Sequence, residues 1–403
     1  MTSTLVHYVS NGDEPHLGDR NIVRNSYGNI YVVSMSNHYV TVCKSSNNGA
    51  SFAVQDDSNS PYSSSGYFFE SCVCVIDSAD IIHIAYDHDT NAYYSTFDTS
   101  TDEFVILNES IKTFASGTKL CNINISIDSS DIPHVCFDLW WVTDSTFYNN
   151  RIGGTWSNEI VVISDATASH SLSIDKDDKP WIVYQQDNTS SPYNTNTYAC
   201  IGNANDPTSF TTQFITSLYV QGSYADWGVS LAIDVNGNHY IALLYEPTKY
   251  GTQYIAFIKH NYSDSWSTWQ SIVTGPASTG YDDFQFVSLM IEGSDLHILY
   301  TTGGYWESQS IKYITYINST WSDPVEIASS SEYFYITGSS CKWEYWVDND
   351  EQGNNVGITG GRKLMEFVYC VEDWGDDYSY SIYYCNTSFG ETTMRVIMII
   401  EDE

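Results

Sequence analysis

The sequence has few basic residues. Lysine and arginine together number 15 among 403 residues, whereas aspartate and glutamate number 50, which gives a formal net charge of −35. A field of this sign repels the phosphate backbone of nucleic acids and the surface of anionic membranes. The composition therefore argues against nucleic-acid binding, and it favours neutral partners, cationic partners or metal ions over anionic ones.

Long apolar runs, paired cysteines and a leader pattern are also lacking. No run of 18 or more apolar residues occurs, so we expect no membrane insertion. The nine cysteines are odd in number and show no Cys-x-x-Cys spacing, which argues against a zinc site and against a disulfide framework. The first 19 residues have neither the basic start nor the apolar stretch of a signal peptide.

Two features of the composition bear on where the protein acts. Lysine is scarce and six Asn-x-Ser/Thr sequons are present, a combination that is typical of proteins displayed on a surface. A virion or phage-appendage protein, made in the cytoplasm and displayed outside, would combine this composition with the lack of a leader. We therefore expect a surface-displayed or virion-associated protein whose partners are glycans or other virion or surface proteins. A cytoplasmic location and an oligomer within a larger assembly stay open.

The sequence does contain a repeat. Segments 75–87, 126–138, 173–185 and 232–244 each place two short apolar runs on either side of a polar turn. A period near fifty residues marks a repeat protein, and the repeat runs on without a linker, which indicates one large domain. One acidic or amide residue of each turn serves as an anchor, and successive anchors are 47 to 59 residues apart: Asn25, Asp77, Asp128, Asp175, Asp234, Glu292 and Asp348.

Residues alternate within each repeat as they do in β-strands. Just before the anchors, an apolar column lies beside a column of mostly small polar residues, a pattern that suits the innermost strand of a propeller blade. The next strand carries a histidine or an aromatic residue at one recurring position, and this recurrence favours a structural role over metal binding. The apolar column consists of Cys74, Ile125, Leu172, Leu231 and Leu289; the second column consists of Tyr31, His83, His134, Trp181 and Tyr240.

Four strands per repeat and no helical period predict an all-β fold, a single β-propeller with seven four-stranded antiparallel blades. The last copy matches the repeat least well, so six or eight blades stay open. Residues 1–18 form an N-terminal segment that could supply a closing strand. The seven blades are expected over residues 19–60, 67–112, 117–165, 167–217, 222–276, 280–328 and 332–401.

One short motif resembles a known family. Residues 45–52, SSNNGASF, resemble the Asp-box of sialidase-type (BNR-repeat) β-propellers, Ser-x-Asp-x-Gly-x-Thr-Trp, with Asn47 in the aspartate position. Residues 149–156, 262–269 and 316–321 keep smaller parts of the pattern. The resemblance implies a propeller fold in which these boxes tie down the hairpins between third and fourth strands, on the face away from the usual binding site. A shared fold does not imply a shared activity.

The opposite face is expected to carry the loops between second and third strands and the starts of the first strands. Aromatic residues alternate there with acids and amides. Aromatic rings stack on sugar rings, and carboxylates and amides accept hydrogen bonds from hydroxyl groups, so we predict a glycan-binding surface on this face. The predicted ligand-binding residues are Trp140, Trp141, Trp227, Glu246, Tyr305, Trp306 and Trp374.

Catalysis is the alternative to recognition. Sialidases clamp a carboxylate with three arginines, and the five arginines of this chain cannot be placed to do so. A polysaccharide lyase fits better, because His88 and His170 fall on the predicted functional face and tyrosine is plentiful for proton transfer. The simpler interpretations are a solvated loop histidine for His88 and a structural one for His170. We therefore predict a non-catalytic recognition or structural module with no catalytic residues, and keep a polysaccharide lyase or glycoside hydrolase as the alternative.

A calcium ion is the one cofactor that a motif suggests. Asp348, Asp350 and Gln352 stand at alternate positions before Gly353, as at the start of a calcium loop. The twelfth position carries Thr359 instead of an acid, which favours a solvated turn. We expect no cofactor, with Ca²⁺ as the exception to test.

Overall fold

The computed structural model describes residues 2–9, 16–17, 20–36, 39–61, 71–88, 90–115, 119–140, 145–157, 160–164, 167–188, 194–203, 206–218, 228–234, 236–245, 252–260, 266–277, 287–292, 295–302, 310–329, 336–340, 364–373 and 379–388. Nearly all of these segments are β-strands. The single helix among them is one 3-10 turn, Asp57–Asn59. No helix in these segments is long and apolar enough to span a membrane.

The strands of the first half of the chain are short and follow the predicted alternation. Two of them precede the repeats, β1 (Thr2–Val9) and β2 (His16–Leu17). The first blade contains β3 (Ile22–Arg24), β4 (Ile30–Ser36), β5 (Tyr39–Ser45) and β6 (Ala53–Gln55). The second contains β7 (Ser71–Ile76), β8 (Ile81–His88), β9 (Asn91–Asp98) and β10 (Glu103–Thr113). The third contains β11 (Lys119–Ile127), β12 (Pro133–Trp140), β13 (Ser145–Ile152), β14 (Thr155–Trp156) and β15 (Ile160–Ile163).

The second half continues in the same way. The fourth blade contains β16 (Thr167–Ile174), β17 (Pro180–Asn188), β18 (Asn194–Asn203) and β19 (Asp206–Leu218). The fifth contains β20 (Val229–Ile233), β21 (His239–Tyr245), β22 (Thr252–His260) and β23 (Gln270–Ala277). The sixth contains β24 (Val287–Glu292), β25 (Asp295–Thr302), β26 (Ser310–Ile317), β27 (Thr320–Trp321) and β28 (Val325–Ser329). The last strands are β29 (Ile336–Ser340), β30 (Leu364–Asp373) and β31 (Ser379–Ser388).

Each of the six blades is an antiparallel meander of consecutive strands, so the protein is an all-β propeller. In the third and sixth blades the fourth strand is broken into two pieces that pair with the same edge of the third strand. The second blade gains an extra strand, because β2 pairs in parallel with β7.

The prediction of seven four-stranded antiparallel blades is wrong. Within the described residues, six repeats build blades from their own consecutive strands. The stretch predicted as the last blade, 332–401, supplies β29, β30 and β31, and its sheet is completed by β1 from the other end of the chain. This terminal sheet (β1, β29, β30 and β31) lies between the sixth blade and the first. The physical reason is that an insertion interrupts the last repeat, and within the described residues this repeat supplies three strands of its sheet.

The small polar column of the innermost strands links neighbouring blades. The backbone N–H of Leu231 donates to Ser171 Oγ at 3.2 Å, and the N–H of Leu289 donates to Ser230 Oγ at 3.0 Å. Both leucines are fully buried in apolar clusters. A serine at these positions is therefore small enough for the crowded centre and also satisfies a buried backbone donor of the next blade.

Arg20 crosses the centre of the ring. It precedes β3 of the first blade, is 2% exposed, and donates from its guanidinium to the carbonyls of Ile125 and Leu172 at 2.8 and 2.7 Å. It also donates to Ser173 Oγ at 3.0 Å. One side chain thus binds the inner strands of the third and fourth blades. The repeat did not reveal this contact, because no equivalent arginine occurs in the other copies.

The acidic anchors are turn-formers. Asp77 Oδ1 accepts hydrogen bonds from the backbone N–H groups of Ala79 and Ile81, which is the geometry of an Asx-turn. Its second oxygen lies 3.0 Å from His83 Nε2, and His83 Nδ1 contacts the hydroxyl of Tyr94 at 2.5 Å. The equivalent anchors accept from Trp181 Nε1 at 2.9 Å and from the Tyr240 hydroxyl at 3.1 Å. In the second, fourth and fifth blades the recurring histidine or aromatic residue therefore binds the anchor of its own blade, whereas Tyr31 of the first blade donates to Asp102 of the second at 3.0 Å.

Candidate functional site

The two ends of the propeller carry different connections between strands. Strands one and two of each blade meet in the anchor turns at one end. Because the strands are antiparallel, the loops between strands two and three emerge at the opposite end, which we call the loop end. The sequence places the predicted glycan-binding residues at this loop end.

Pairs of stacked aromatic rings lie just beneath the loop end. In four consecutive blades, an aromatic residue of the second strand is paired with an aromatic residue of the third strand. These pairs lie between the middle of the hairpin and its loop. The ring centroids are 5.1 to 5.9 Å apart and the ring planes are within 27° of parallel. The pairs are Tyr86–Tyr93, Phe137–Phe147, Tyr184–Tyr198 and Tyr245–Tyr254. They make a rigid aromatic layer under the loops.

A buried polar cluster lies at the loop end where the third and fourth blades meet. Asp138, near the end of β12, accepts from Thr146 Oγ1 at 2.6 Å and from Asn122 Nδ2 at 3.3 Å. Its Oδ2 is also 3.0 Å from Nδ1 of His170, near the start of β16. The side chains of His170 and Asp138 are 0% and 6% exposed. One carboxylate therefore joins β11, β12 and β13 of one blade to the first strand of the next.

The protonation state of His170 follows from this contact. Burial alone would lower the pKa of His170, but the Asp138 carboxylate outweighs it and raises that pKa well above its ordinary value. The raised pKa favours the imidazolium form, in which Nδ1 donates to Asp138. The side chain of Cys136 also contributes to the raised pKa of His170. A protonated ring can donate a hydrogen bond, but it cannot act as a general base.

The remaining predicted site residues are placed only in part. Trp140 and His88 are the last residues of β12 and β8, so the backbone of each ends at the loop end. The other predicted ligand-binding residues lie outside the described residues: Trp141, Trp227, Glu246, Tyr305, Trp306 and Trp374. The calcium candidates Asp348, Asp350 and Gln352 also lie outside them. In the part of the chain that the structure describes, no three His, Cys, Asp or Glu side chains are grouped as metal ligands.

The hairpin between β5 and β6, at the end opposite the loops, has the local geometry that the motif suggested. Asn47 Oδ1 accepts from the Ser45 hydroxyl at 2.8 Å and from the Ser51 N–H at 3.0 Å. Gly49 has φ +82°, and a Cβ at this position would lie 2.0 Å from the ring of Tyr384 in the terminal sheet. Phe52 packs on the same ring at 5.3 Å. Only glycine fits at this turn.

Each of the three segments that keep smaller parts of the Asp-box pattern contains the tryptophan of a Trp-Ser pair that sequence reasoning did not single out, in the third, fifth and sixth blades. Each serine Oγ accepts a backbone N–H of the third strand at 3.0 to 3.2 Å. Each tryptophan packs edge-on against an aromatic residue of the preceding blade, with centroids 5.2 to 6.5 Å apart. The signal was present as the recurring letters TWS, SWS and TWS, at Trp156-Ser157, Trp266-Ser267 and Trp321-Ser322.

Comparisons with known proteins bear on the fold. No protein-family model matches the sequence, and no curated protein matches it. Among solved structures, an ulvan lyase of a new polysaccharide lyase family, bound to -[GlcA(1-4)Rha3S]-, is 9% identical with a TM-score of 0.54, and the match covers 96% of this chain and 98% of that one.

Two further matches are weaker. An α-L-arabinofuranosidase from Fusarium graminearum is 11% identical, with a TM-score of 0.45 over 74% of this chain and 93% of that one. The lectin of Aleuria aurantia, in complex with Fucα1-6GlcNAc, is 13% identical, with a TM-score of 0.43 over 80% and 93%. At such identities the likeness shows a shared β-propeller fold, and that conclusion rests on the ulvan lyase match.

Proposed function

We propose that the protein is a carbohydrate-binding β-propeller that takes a saccharide at its loop end without transforming it. The observation that carries the proposal is the layer of stacked aromatic pairs in four consecutive blades beneath the loops. The layer lies where the strands end and the loops with the predicted aromatic and acidic side chains begin. Rigid elements beneath a binding surface reduce the entropy that is lost when a ligand binds.

Charge decides which sugars suit this surface. With a formal net charge of −35, the protein repels sulfated and uronate-rich chains at long range, whereas a neutral sugar meets no such repulsion. Stacking of aromatic rings on sugar faces does not depend on ionic attraction. A neutral oligosaccharide is therefore the preferred ligand class. Display on a surface or a virion, as the composition suggests, is the setting in which we propose that this binding operates.

Two features of the fold support the proposal. The ulvan lyase whose chain overlaps this one almost completely is described as bound to a saccharide. The β5–β6 hairpin, which we propose to be a variant Asp-box with Asn47 in the acidic position, ties down the end opposite the loops. That arrangement leaves the loop end as the surface available to a ligand.

A polysaccharide lyase is the second candidate, and the ulvan lyase match favours it. Its predicted residues make it the weaker of the two. The raised pKa of His170 beside Asp138 favours the protonated ring, which is unsuited to the role of a base. His88, at the end of β8, would have to take that role.

A glycan array carrying neutral and uronate-containing oligosaccharides tests the proposal. We expect binding to a subset of neutral glycans, and no release of reducing ends or unsaturated uronate from any bound glycan over a day. Turnover of a bound glycan would establish the enzyme instead. The absence of binding to every glycan would overturn a carbohydrate function of either kind.

A further inference from the structure

The residues at the loop end differ from one blade to the next. Asp138 is ten residues after its anchor, where the first and fifth blades have Met35 and Leu244. The second and fourth blades have the buried polar residues Asp87 and Gln185 at this position. His170 is five residues before its anchor, where the third and fifth blades have Ile123 and Val229 and the first blade has Arg20. Among the described residues, only the junction of the third and fourth blades pairs a buried carboxylate with a buried histidine at this end.

Burying such a pair is costly. An ion pair that is removed from water is commonly no better for stability than apolar residues of similar size, and the first and fifth blades bury apolar residues, Met35 and Leu244, at the Asp138 position. Charged groups kept at such a cost cluster at functional sites.

The connections of Asp138 show what the pair can do. Its carboxylate binds Asn122, Thr146 and His170, which lie near the ends of three strands that border this face. Asn122 has φ +54° at an irregularity of β11, so its backbone is also held in an unusual conformation there. The side chains of Asp138 and His170 are nearly inaccessible to solvent, so they act through the strand ends that they hold.

We infer that the saccharide subsite of the loop end lies over the junction of the third and fourth blades, with Asp138 and His170 as its positioning residues. This inference rests on the proposed carbohydrate function and adds to it the place on the ring and the two residues that shape the site. The ion pair is neutral as a unit, so it brings no net charge that would attract an anionic sugar. The subsite therefore takes an uncharged sugar unit, and Trp140, two residues after Asp138 on β12, borders it.

Two variants with a matched control test the inference. His170→Gln and Asp138→Asn remove the ion pair and keep side chains of similar size. His134→Gln is the control, because His134 is equally buried in the third blade, but it lies at the opposite end, 3.5 Å from Asp128 and in contact with the Tyr148 hydroxyl. The probes are cellohexaose, xylohexaose, mannohexaose and hexagalacturonate. Binding is measured by calorimetry, and the imidazole resonances of the wild-type protein are followed by NMR during each titration.

The inference predicts that a neutral hexasaccharide shifts the His170 resonance and leaves that of His134 unchanged. It also predicts that His170→Gln and Asp138→Asn weaken binding at least about tenfold, a loss of about 1.4 kcal/mol, whereas His134→Gln binds as wild type even where it melts lower. If a neutral probe binds equally well to all variants and His170 does not shift, the subsite lies elsewhere and carbohydrate binding stands. Preferential binding of hexagalacturonate overturns the ligand class. If no probe or array glycan binds, both the function and its subsite are refuted.

Discussion

Ser129 donates two hydrogen bonds to one carboxylate of the next blade, from its N–H to Asp178 Oδ1 at 2.8 Å and from its hydroxyl to Asp178 Oδ2 at 2.7 Å. The same link joins Ser78 to Asp131 and Ser26 to Asp80. The same pair of hydrogen bonds, which we call the serine–aspartate link, therefore joins the blades at three consecutive junctions of the anchor end. The fifth blade has Gly237 at this position of its turn, so the series stops there.

Breaking one serine–aspartate link should cause a measurable loss of stability. Ser129→Ala removes the hydroxyl donor and leaves part of the Asp178 carboxylate unpaired, so the free energy of unfolding should fall by about 1 kcal/mol. Ser130→Ala is the control, because the neighbouring serine contributes only its backbone N–H to the turn through Asp128. We expect the control to change stability by less than about 0.5 kcal/mol in urea unfolding. Equal effects of the two variants would show that the serine–aspartate link does not stabilise the fold.

Leu231 tests the assignment of the inner strand. It is fully buried among residues of the fourth and fifth blades. Leu231→Ala should lower the free energy of unfolding by about 2–5 kcal/mol, and Leu231→Asp should prevent folding because a charge would be buried without a partner. Circular dichroism and size-exclusion chromatography distinguish these outcomes. A soluble Leu231→Asp protein that unfolds cooperatively would contradict the packing described above.

Two buried histidines predict sensitivity to acid. Burial lowers the pKa of His239 to about 3, with a further contribution from His260, and burial lowers the pKa of His297 to about 4. Their pKa values in the unfolded chain are about 6.5. Below that pH the unfolded state binds protons that the native state does not, so stability is present above pH 6.5 and falls as the pH drops further, by up to about 1.4 kcal/mol per pH unit for each histidine.

His239→Phe checks this dependence. The variant should lose stability less steeply than wild type between pH 6.5 and pH 4 when the midpoint of urea unfolding is followed against pH. His170→Gln provides the opposite case, because Asp138 raises the pKa of His170. The stability that His170 contributes is complete below pH 6.5 and is lost as the pH rises through the folded pKa. Parallel pH profiles for the wild type and both variants would contradict these assignments.

Two tryptophans that the sequence predicts at the loop end test the binding prediction. Trp141→Ala and Trp306→Ala should leave the melting temperature within a few degrees of wild type and weaken saccharide binding at least about tenfold, equivalent to about 1.4 kcal/mol. Tyr27→Ala is the control, since Tyr27 is 80% exposed in the anchor turn of the first blade, at the opposite end. A large drop in melting temperature would instead identify these tryptophans as core residues.

Local periodicity carried most of the fold prediction. The column of Ile125, Leu172 and Leu231 is buried as expected, and His83 binds its own anchor as a structural residue. The repeat could not predict contacts between residues that are far apart in the sequence. Asp138 and His170 are 32 residues apart in two blades, and Arg20 reaches inner strands more than 100 residues away. Such contacts depend on how blades are arranged around the ring, which a repeating pattern does not specify.

The blade count was wrong for a related reason. Counting anchors treats every copy of the repeat as a complete blade, but Asp348 falls in an inserted segment of the last copy. Strand β1 could not be assigned by the period, because it lies before the first repeat and pairs with β31, more than 370 residues away.

Hydrogen–deuterium exchange with a bound saccharide tests the central claim most directly, because it reports which end of the propeller the ligand covers. The probe is the neutral oligosaccharide that gives the strongest array signal. We predict slower exchange in peptides that contain residues 141–144 and 189–193, which follow β12 and β17, and unchanged exchange in the anchor turns 77–80, 128–131 and 175–178. Protection of the anchor turns with no change at the loop end would contradict the account.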